Sequence, residues 1–196
     1  MERPEDVLFS AAVKAEQTRL GSRAQFEGRA FKDEITDDLR QFLQVVDTCF
    51  LATASADGRP YVQHRGGPPG FLKPIGSRAL AFADFAGNRQ YITLGHLKEN
   101  DRAHLFILHL ATRQRVKLWG RARVVENDLE LMERLVDPAY RARPERAIVF
   151  DLEAWDVNCQ QHIVPRYSEA EIAPAIDRLA QRIKELEAEV ERLKTS

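Results

Sequence analysis

The feature that most constrains the fold is a two-residue period in hydrophobicity, clearest between Val116 and Val125. Small or apolar residues occupy every second position there, and lysine, tryptophan and arginine fill most of the positions between them. Successive side chains of a β-strand point to opposite faces, so this period predicts a strand with one buried face. The same period recurs in residues 78–85 and 145–155.

Three further segments extend the β region. An apolar run at Cys49–Ser55 is followed by Asp57-Gly58, a hairpin signal, and by a return strand at Arg59–Arg65. Ala103–Leu110 is nearly all apolar, which is typical of a central strand. Six antiparallel strands with few helices predict a small closed β-barrel, because closure removes the aggregation-prone edges of a sheet.

Helical spacing of apolar residues appears in the segments between and before these strands. The predicted helices are residues 5–20, 33–46, 91–99 and 127–136. Asp33 and Thr36 are competing N-caps for the second of them. The fold class is therefore mainly β with flanking helices (α+β).

The C-terminal segment follows a different pattern. Ser168 and Glu171 form a capping-box sequence, and Pro174 predicts a kink or a restart. Apolar residues then recur at heptad spacing, with β-branched residues at the a positions and leucine at d: Ile176, Leu179, Ile183, Leu186, Val190 and Leu193. This choice favours a parallel two-stranded coiled coil. The alternative is a single amphipathic helix folded onto its own barrel.

Length and charge restrict the function classes. A chain of 196 residues predicts one domain with a tail, which we divide into N-terminal helices at 1–46, a barrel at 47–166 and a heptad helix at 168–196. The formal net charge of −1 offers no basic field for nucleic acid or an anionic membrane. No signal-peptide pattern or membrane-length apolar run is present, and two distant cysteines predict a reduced, cytoplasmic protein.

Common catalytic and metal motifs are missing. His104 and His109 are five residues apart on one predicted strand and so face opposite ways, and the remaining histidines have no zinc-like spacing. The sequence contains no G-x-S-x-G elbow, P-loop or dinucleotide fingerprint. We therefore expect no protein-ligated metal.

Basic and amide side chains cluster instead at the predicted strand ends. In the 78–85 strand Leu80, Phe82 and Asp84 share one face, and the strand stops at Gly87 before Asn88 and Arg89. An amide, a guanidinium and free backbone N–H groups are the groups that bind phosphate. Similar groups end neighbouring strands: Gln63, His64, Arg65, Arg113, Gln114 and Arg115. Each alone is more typical of a solvated surface residue, but together they predict an anion site.

Several longer motifs resemble the pyridoxamine 5′-phosphate oxidase family over about residues 45–165. They are Cys49–Ser55, Asp57–Tyr61, Phe82–Arg89, Asn100–Arg102 and Arg115–Ala122. Residues 63–71, 87–91 and 158–163 resemble a branch of predicted flavin-nucleotide-binding proteins in particular. The resemblance implies a split β-barrel that binds FMN at a homodimer interface.

The resemblance also implies a set of cofactor-binding residues: Gln63, His64, Arg65, Ala83, Asp84, Asn88, Arg89, Gln90 and Arg115. Arg89 matches the arginine that binds the FMN phosphate, with Asn88 in place of a serine. Gln90 replaces a second basic residue, so part of the charge compensation must come from elsewhere, and Arg65 is our candidate.

The ring end of the flavin is implied by the same comparison. Ala83 and Asp84 match the strand beside the ring, and Arg115 matches a glutamine near it, where a cation could stabilise reduced flavin. Gln63 occupies a matching position on the phosphate side. Strand alternation points His64 to the face opposite Gln63 and Arg65.

The resemblance implies a flavin-dependent oxidoreductase acting with a small-molecule substrate or reductant. The chain ends in a heptad helix where the true oxidases have their substrate-binding end, which argues against vitamin B6 oxidation. A non-catalytic flavin sensor or carrier, whose coiled coil recruits a partner, is the main alternative. A true pyridoxamine phosphate oxidase is the other.

Overall fold

The computed structural model describes residues 3–157 and 159–195. The chain forms two compact units. The first comprises Met1–His109 with Gln114–Cys159, and the second comprises Leu110–Arg113 with Gln160–Ser196. The β-sheet belongs to the first unit and the long C-terminal helix to the second.

Three α-helices precede the sheet, α1 Pro4–Leu8, α2 Ala11–Arg19 and α3 Asp37–Val45, with a short 3-10 helix at Arg23–Gln25. The single helix predicted over residues 5–20 is broken, because the hydroxyl of Ser10 accepts a hydrogen bond from Val13 N and starts a new helix. Thr36, and not Asp33, is the N-cap of α3, and its hydroxyl accepts from Leu39 N. Leu39 and Leu43 are the most deeply buried residues of α3 and anchor it to the core.

Seven strands form one sheet, in the order β2-β1-β5-β6-β7-β4-β3, with every neighbouring pair antiparallel. They are β1 Thr48–Ala54, β2 Pro60–Gly66, β3 Lys73–Pro74, β4 Ala79–Phe85, β5 Arg102–His109, β6 Gln114–Val125 and β7 Pro144–Val157. Two helices connect them, α4 Ile92–Glu99 and α5 Leu129–Leu135.

The predicted closed barrel of six strands needs correction on two points. The six long strands are present, but the two-residue β3 adds a seventh, which the sequence hides because it contains Pro74. The hydrogen-bonded ladder is also open, with β2 and β3 as its edge strands. The predicted class, an antiparallel sheet with flanking helices, is confirmed.

The open sheet is nevertheless strongly curved. Strands β2 and β4 are five steps apart in the sheet, which in a flat sheet would separate them by about 24 Å. Arg65 Nη1 of β2 lies only 3.2 Å from Asp84 Oδ1 of β4. The two strands therefore face each other across a gap that side chains bridge.

The two faces of β4 are buried in different clusters. Leu80 and Phe82 belong to the main core with residues of β1, β5, β6 and α3. Ala81 and Ala83 belong to a second cluster that includes Leu135 of α5. Asp84 continues the Leu80–Phe82 face, so its carboxylate lies at the end of the main core.

The second unit contains one helix, α6 Glu169–Lys194. Ser168 and Glu171 form the predicted capping box. The helix does not restart at Pro174: it runs from Glu169 to Lys194 with the proline inside its second turn. The proline removes the hydrogen bond to the carbonyl of residue 170 and its ring crowds that carbonyl, yet the helix continues through it. Within the described part of the chain, no helix has both the length and the apolar character needed to cross a membrane.

Gly120 provides a test of the β6–β7 pairing. The register shifts between Trp119 and Gly120, and a Cβ at Gly120 would lie 2.1 Å from the carbonyl oxygen of Asp151. We expect Gly120→Ala to destabilise the fold by about 1–3 kcal/mol through overpacking. In the control Gly95→Ala the new Cβ meets nothing within 4 Å, and removing a helical glycine stabilises by about 0.5–1 kcal/mol. Urea unfolding of both variants measures the contrast, and a neutral Gly120→Ala would contradict this packing.

Candidate functional site

Two adjoining cavities lie in the gap between β2 and β4. They share five lining residues, Gln63, Arg65, Asp84, Phe85 and Gly87. The larger cavity has a volume of about 490 Å³ and extends along the ends of both strands to Tyr140. The smaller one extends under the start of α4 and is also lined by Asn88, Arg89, Tyr91, Thr93, Leu94, Glu145 and Arg146. The gap between the strands is thus a ligand-sized cleft.

A buried ion cluster forms the floor of the cleft. Asp84 lies 3.2 Å from Arg65 Nη1 and 3.8 Å from Arg146 Nη1. Arg146 is the cross-strand partner of Asp84 on β7, and it also contacts Glu145 at 3.0 Å. The side chains of Arg65, Asp84 and Arg146 are 14%, 7% and 12% exposed, so these charges interact with little screening by water.

Burial is the main influence on Asp84. Desolvation raises the pKa of its carboxyl, while the positive charges of Arg65 and then Arg146 oppose the rise. A folded-state pKa above the unfolded value means that the folded form holds the proton more tightly. The contribution of Asp84 to stability is therefore greatest below its unfolded pKa and is lost as the pH rises through its folded pKa.

Hydrogen bonds hold one wall of the cleft against α4. Arg65 Nη2 donates to Thr93 Oγ1 at 3.2 Å, and Thr93 Oγ1 donates to Gln63 Oε1 at 3.3 Å. The hydroxyl of Tyr61 donates to the same oxygen of Gln63 at 3.2 Å. Thr93 is almost fully buried, so this chain fixes where the Arg65 guanidinium lies.

Arg65 and Arg146 each have one buried N–H group without a hydrogen-bond acceptor. Among the described residues, three buried side-chain nitrogen or oxygen atoms have no hydrogen-bond partner, and they are Nε of Arg65, Arg115 and Arg146. Glu126 lies 3.6 Å from Arg146 Nε, beyond hydrogen-bond range. A buried donor without an acceptor is costly, so the positions of Arg65 and Arg146 reduce the stability of the fold.

The loop after β4 forms the mouth of the smaller cavity. Asn88 Oδ1 accepts a hydrogen bond from Gln90 N, while Arg89 and Tyr91 adopt left-handed backbone conformations with φ of 58° and 55°. Asn88, Arg89 and Gln90 are all exposed. Tyr91 precedes α4 without a side-chain cap, so the first N–H groups of that helix lack a side-chain acceptor.

The structure brings seven of the nine candidate residues to this cleft. Gln63, His64, Arg65, Ala83, Asp84, Asn88 and Arg89 line one cavity or the other. The ring of His64 packs edge-on against Phe50, and His64 lines the larger cavity together with Gln63 and Arg65. Gln90 lies in the same loop but does not line either cavity. Arg115 lies elsewhere, on β6 opposite Leu108.

Sequence reasoning missed Arg146 and Thr93. A signal existed for Arg146, because position 146 is in phase with the buried residues Ile148 and Phe150. An arginine in phase with a buried face requires a partner, and the register places Asp84 beside it. Thr93 carried no comparable signal, since its role depends on how α4 packs on β2.

We predict that Arg65→Gln raises the pKa of Asp84 more than Arg146→Gln does. Arg65 is the nearer cation and opposes the effect of burial more strongly. Carbon NMR titration of the Asp84 carboxyl in the two variants measures the order of the shifts. A larger rise in Arg146→Gln, or a fall in Arg65→Gln, would show that the cluster is arranged differently.

Solved structures that match this chain have low sequence identity to it. A Group A Streptococcus HupZ structure is 11% identical with a TM-score of 0.51, and the match covers 68% of this chain and 99% of that one. A putative pyridoxamine 5′-phosphate oxidase from Lactobacillus delbrueckii is 18% identical with a TM-score of 0.47, covering 64% and 95%. A pyridoxamine 5′-phosphate oxidase-related, FMN-binding protein from Nostoc punctiforme is 12% identical with a TM-score of 0.42, covering 60% and 76%.

The sequence comparisons differ in outcome. A comparison with curated proteins found no match. The family model for pyridoxamine 5′-phosphate oxidase matches residues 35–174, which include α3, all seven strands and the whole cleft. Because this match covers more than half of the chain, the chain belongs to the pyridoxamine 5′-phosphate oxidase family.

Proposed function

We propose that this protein binds FMN in the cleft between β2 and β4 and acts as a flavin-dependent oxidoreductase on a small molecule. The observation that carries the proposal is the buried charge cluster of Arg65, Asp84 and Arg146, which lines one cleft. Family membership supports the choice of FMN among anionic ligands.

The charge of the cleft suits a phosphate-bearing ligand. The smaller cavity is lined by three guanidinium groups and two carboxylates: Arg65, Arg89, Arg146, Asp84 and Glu145. The cavity of about 490 Å³ lies within the usual range for small-molecule sites. The residues present therefore fit a flavin nucleotide, with an excess of positive charge at the mouth.

Arg89 is the residue we assign to the phosphate. It lies at the mouth of the cleft in the exposed loop before α4, where the uncapped N–H groups of the helix add further donors. Asn88 offers an amide at the same mouth. Gln90 contributes no charge, and Arg65 with Arg146 supplies the positive charge deeper in the cleft.

The isoalloxazine end is assigned to the larger cavity. When bound, FMN supplies the hydride and electron chemistry, while the protein provides binding, orientation and electrostatics. Ala83 and Asp84 line this cavity on the β4 side. The Thr93–Gln63–Tyr61 hydrogen bonds hold β2 in place on the opposite wall.

A homodimer is part of the proposal. Arg115 lies outside the cleft, so it would reach a flavin only if a second copy brought it there. Its neighbours on the outer face of the sheet include the partly exposed Phe106, Lys117 and Trp119. Desolvation already lowers the pKa of Lys117. Partly exposed aromatic side chains and arginine are enriched at protein interfaces.

Arg89→Ala tests the phosphate assignment. Loss of a charge-assisted hydrogen bond should weaken FMN binding by about tenfold to a hundredfold. Riboflavin has no phosphate, so its affinity should change by less than roughly twofold. Fluorescence titration of the purified protein with each ligand measures both affinities.

The matched control is Arg59→Ala, since Arg59 is an exposed arginine in the β1–β2 turn whose partner is Asp57. It should leave both affinities unchanged. Equal losses for FMN and riboflavin in Arg89→Ala would contradict the phosphate role. Consumption of NADPH by the loaded protein supports the oxidoreductase, whereas tight binding without reduction would leave a flavin carrier.

A further inference from the structure

The long helix α6 carries an uncovered apolar stripe. None of its residues is buried, and the seven apolar residues of the stripe are between 40% and 71% exposed. They are Ile172, Ile176, Leu179, Ile183, Leu186, Val190 and Leu193. Their spacings alternate between three and four residues, which keeps them on one side of a helix about 39 Å long.

We propose that this stripe is an interaction surface for a second copy of the same chain, and that two α6 helices pair in parallel and in register. The a positions are the β-branched Ile176, Ile183 and Val190, and the d positions are leucines, apart from Ile172 at the first one. This distribution favours two parallel strands over higher assemblies.

The charges beside the stripe are complementary to themselves. In a parallel pair the g position of one helix meets the following e position of the other. Arg182 then faces Glu187 of the second copy, and Glu189 faces its Lys194. Each contact occurs twice by symmetry. Because the charges beside the stripe pair with those of an identical helix, the sequence favours self-association over pairing with an unrelated helix.

Local contacts do not compete strongly with this pairing. Arg182 forms an exposed ion pair with Glu185 of its own helix, at 3.2 Å, and such pairs contribute little. Pro174 falls at an f position of the heptad, opposite the seam, so its ring does not obstruct a partner helix. The capping box at Ser168 fixes the start of the helix.

A second copy also solves the stability problem of the helix. An isolated helix in water is marginal because nucleation is costly, and exposed leucine and isoleucine add nothing to its stability. Burying the stripe against its own copy removes that apolar surface from water. This inference does not depend on flavin binding.

Disulfide trapping in the full-length protein tests the proposal. The exposed Cys159 is first replaced by serine, while Cys49 is buried and stays. Leu179→Cys and Leu193→Cys are then made separately, with Ala188→Cys at an f position as the control. In a parallel pair both d positions face their own counterparts closely enough for a disulfide. We expect covalent dimers from both d variants and not from the control.

The pattern of cross-links discriminates between arrangements. In an antiparallel pair only one level along the helix faces its own counterpart, so the two d variants cannot both cross-link. Cross-linking of one alone, of neither, or of the Ala188→Cys control equally well would overturn the proposal.

Charge reversal adds an independent readout. Arg182→Glu, made in the Leu179→Cys protein, turns two attractive contacts per dimer into repulsive ones and should slow cross-linking by roughly tenfold. Adding Glu187→Arg should restore the rate. Bound flavin, measured by absorbance, should stay unchanged throughout. Failure of the second substitution to restore cross-linking would also overturn the proposal.

Discussion

The contact of Asp84 with Arg65 and Arg146 is the interaction on which the rest of the site depends. It joins β2 to β4 and its neighbour β7. There the curved sheet brings β2 and β4 face to face, although no backbone hydrogen bonds pair these two strands. The cleft exists because the sheet stays open there and side chains span the gap.

Such a cluster is a poor way to gain stability alone. Taking three charges out of water costs more than their attraction readily returns, and hydrophobic residues of similar size would often serve as well. Two signs of this cost are the raised pKa of Asp84 and the two buried Nε atoms, of Arg65 and Arg146, that lack a hydrogen-bond acceptor. Perturbed titratable groups in a cleft are characteristic of functional sites, which supports a role in ligand binding.

The alternation of side chains made most of the sheet predictable. It placed Asp84 on the same face as Leu80 and Phe82. His64, which alternation assigns to the face opposite Gln63 and Arg65, lines the larger cavity together with them. The open ladder could not be foreseen, because closure depends on how far the whole sheet curves. Local hydrogen bonding also decided details that periodicity could not, such as the helix break at Ser10.

The central claim, that the cleft binds FMN, is tested most directly by identifying the ligand that copurifies with the protein. An absorbance spectrum of the purified protein, followed by mass spectrometry of the released small molecule, gives the answer. We predict an oxidised flavin spectrum and the mass of FMN, at about one molecule per chain. A deazaflavin, a haem, or a colourless protein that fails to take up added FMN would contradict the account.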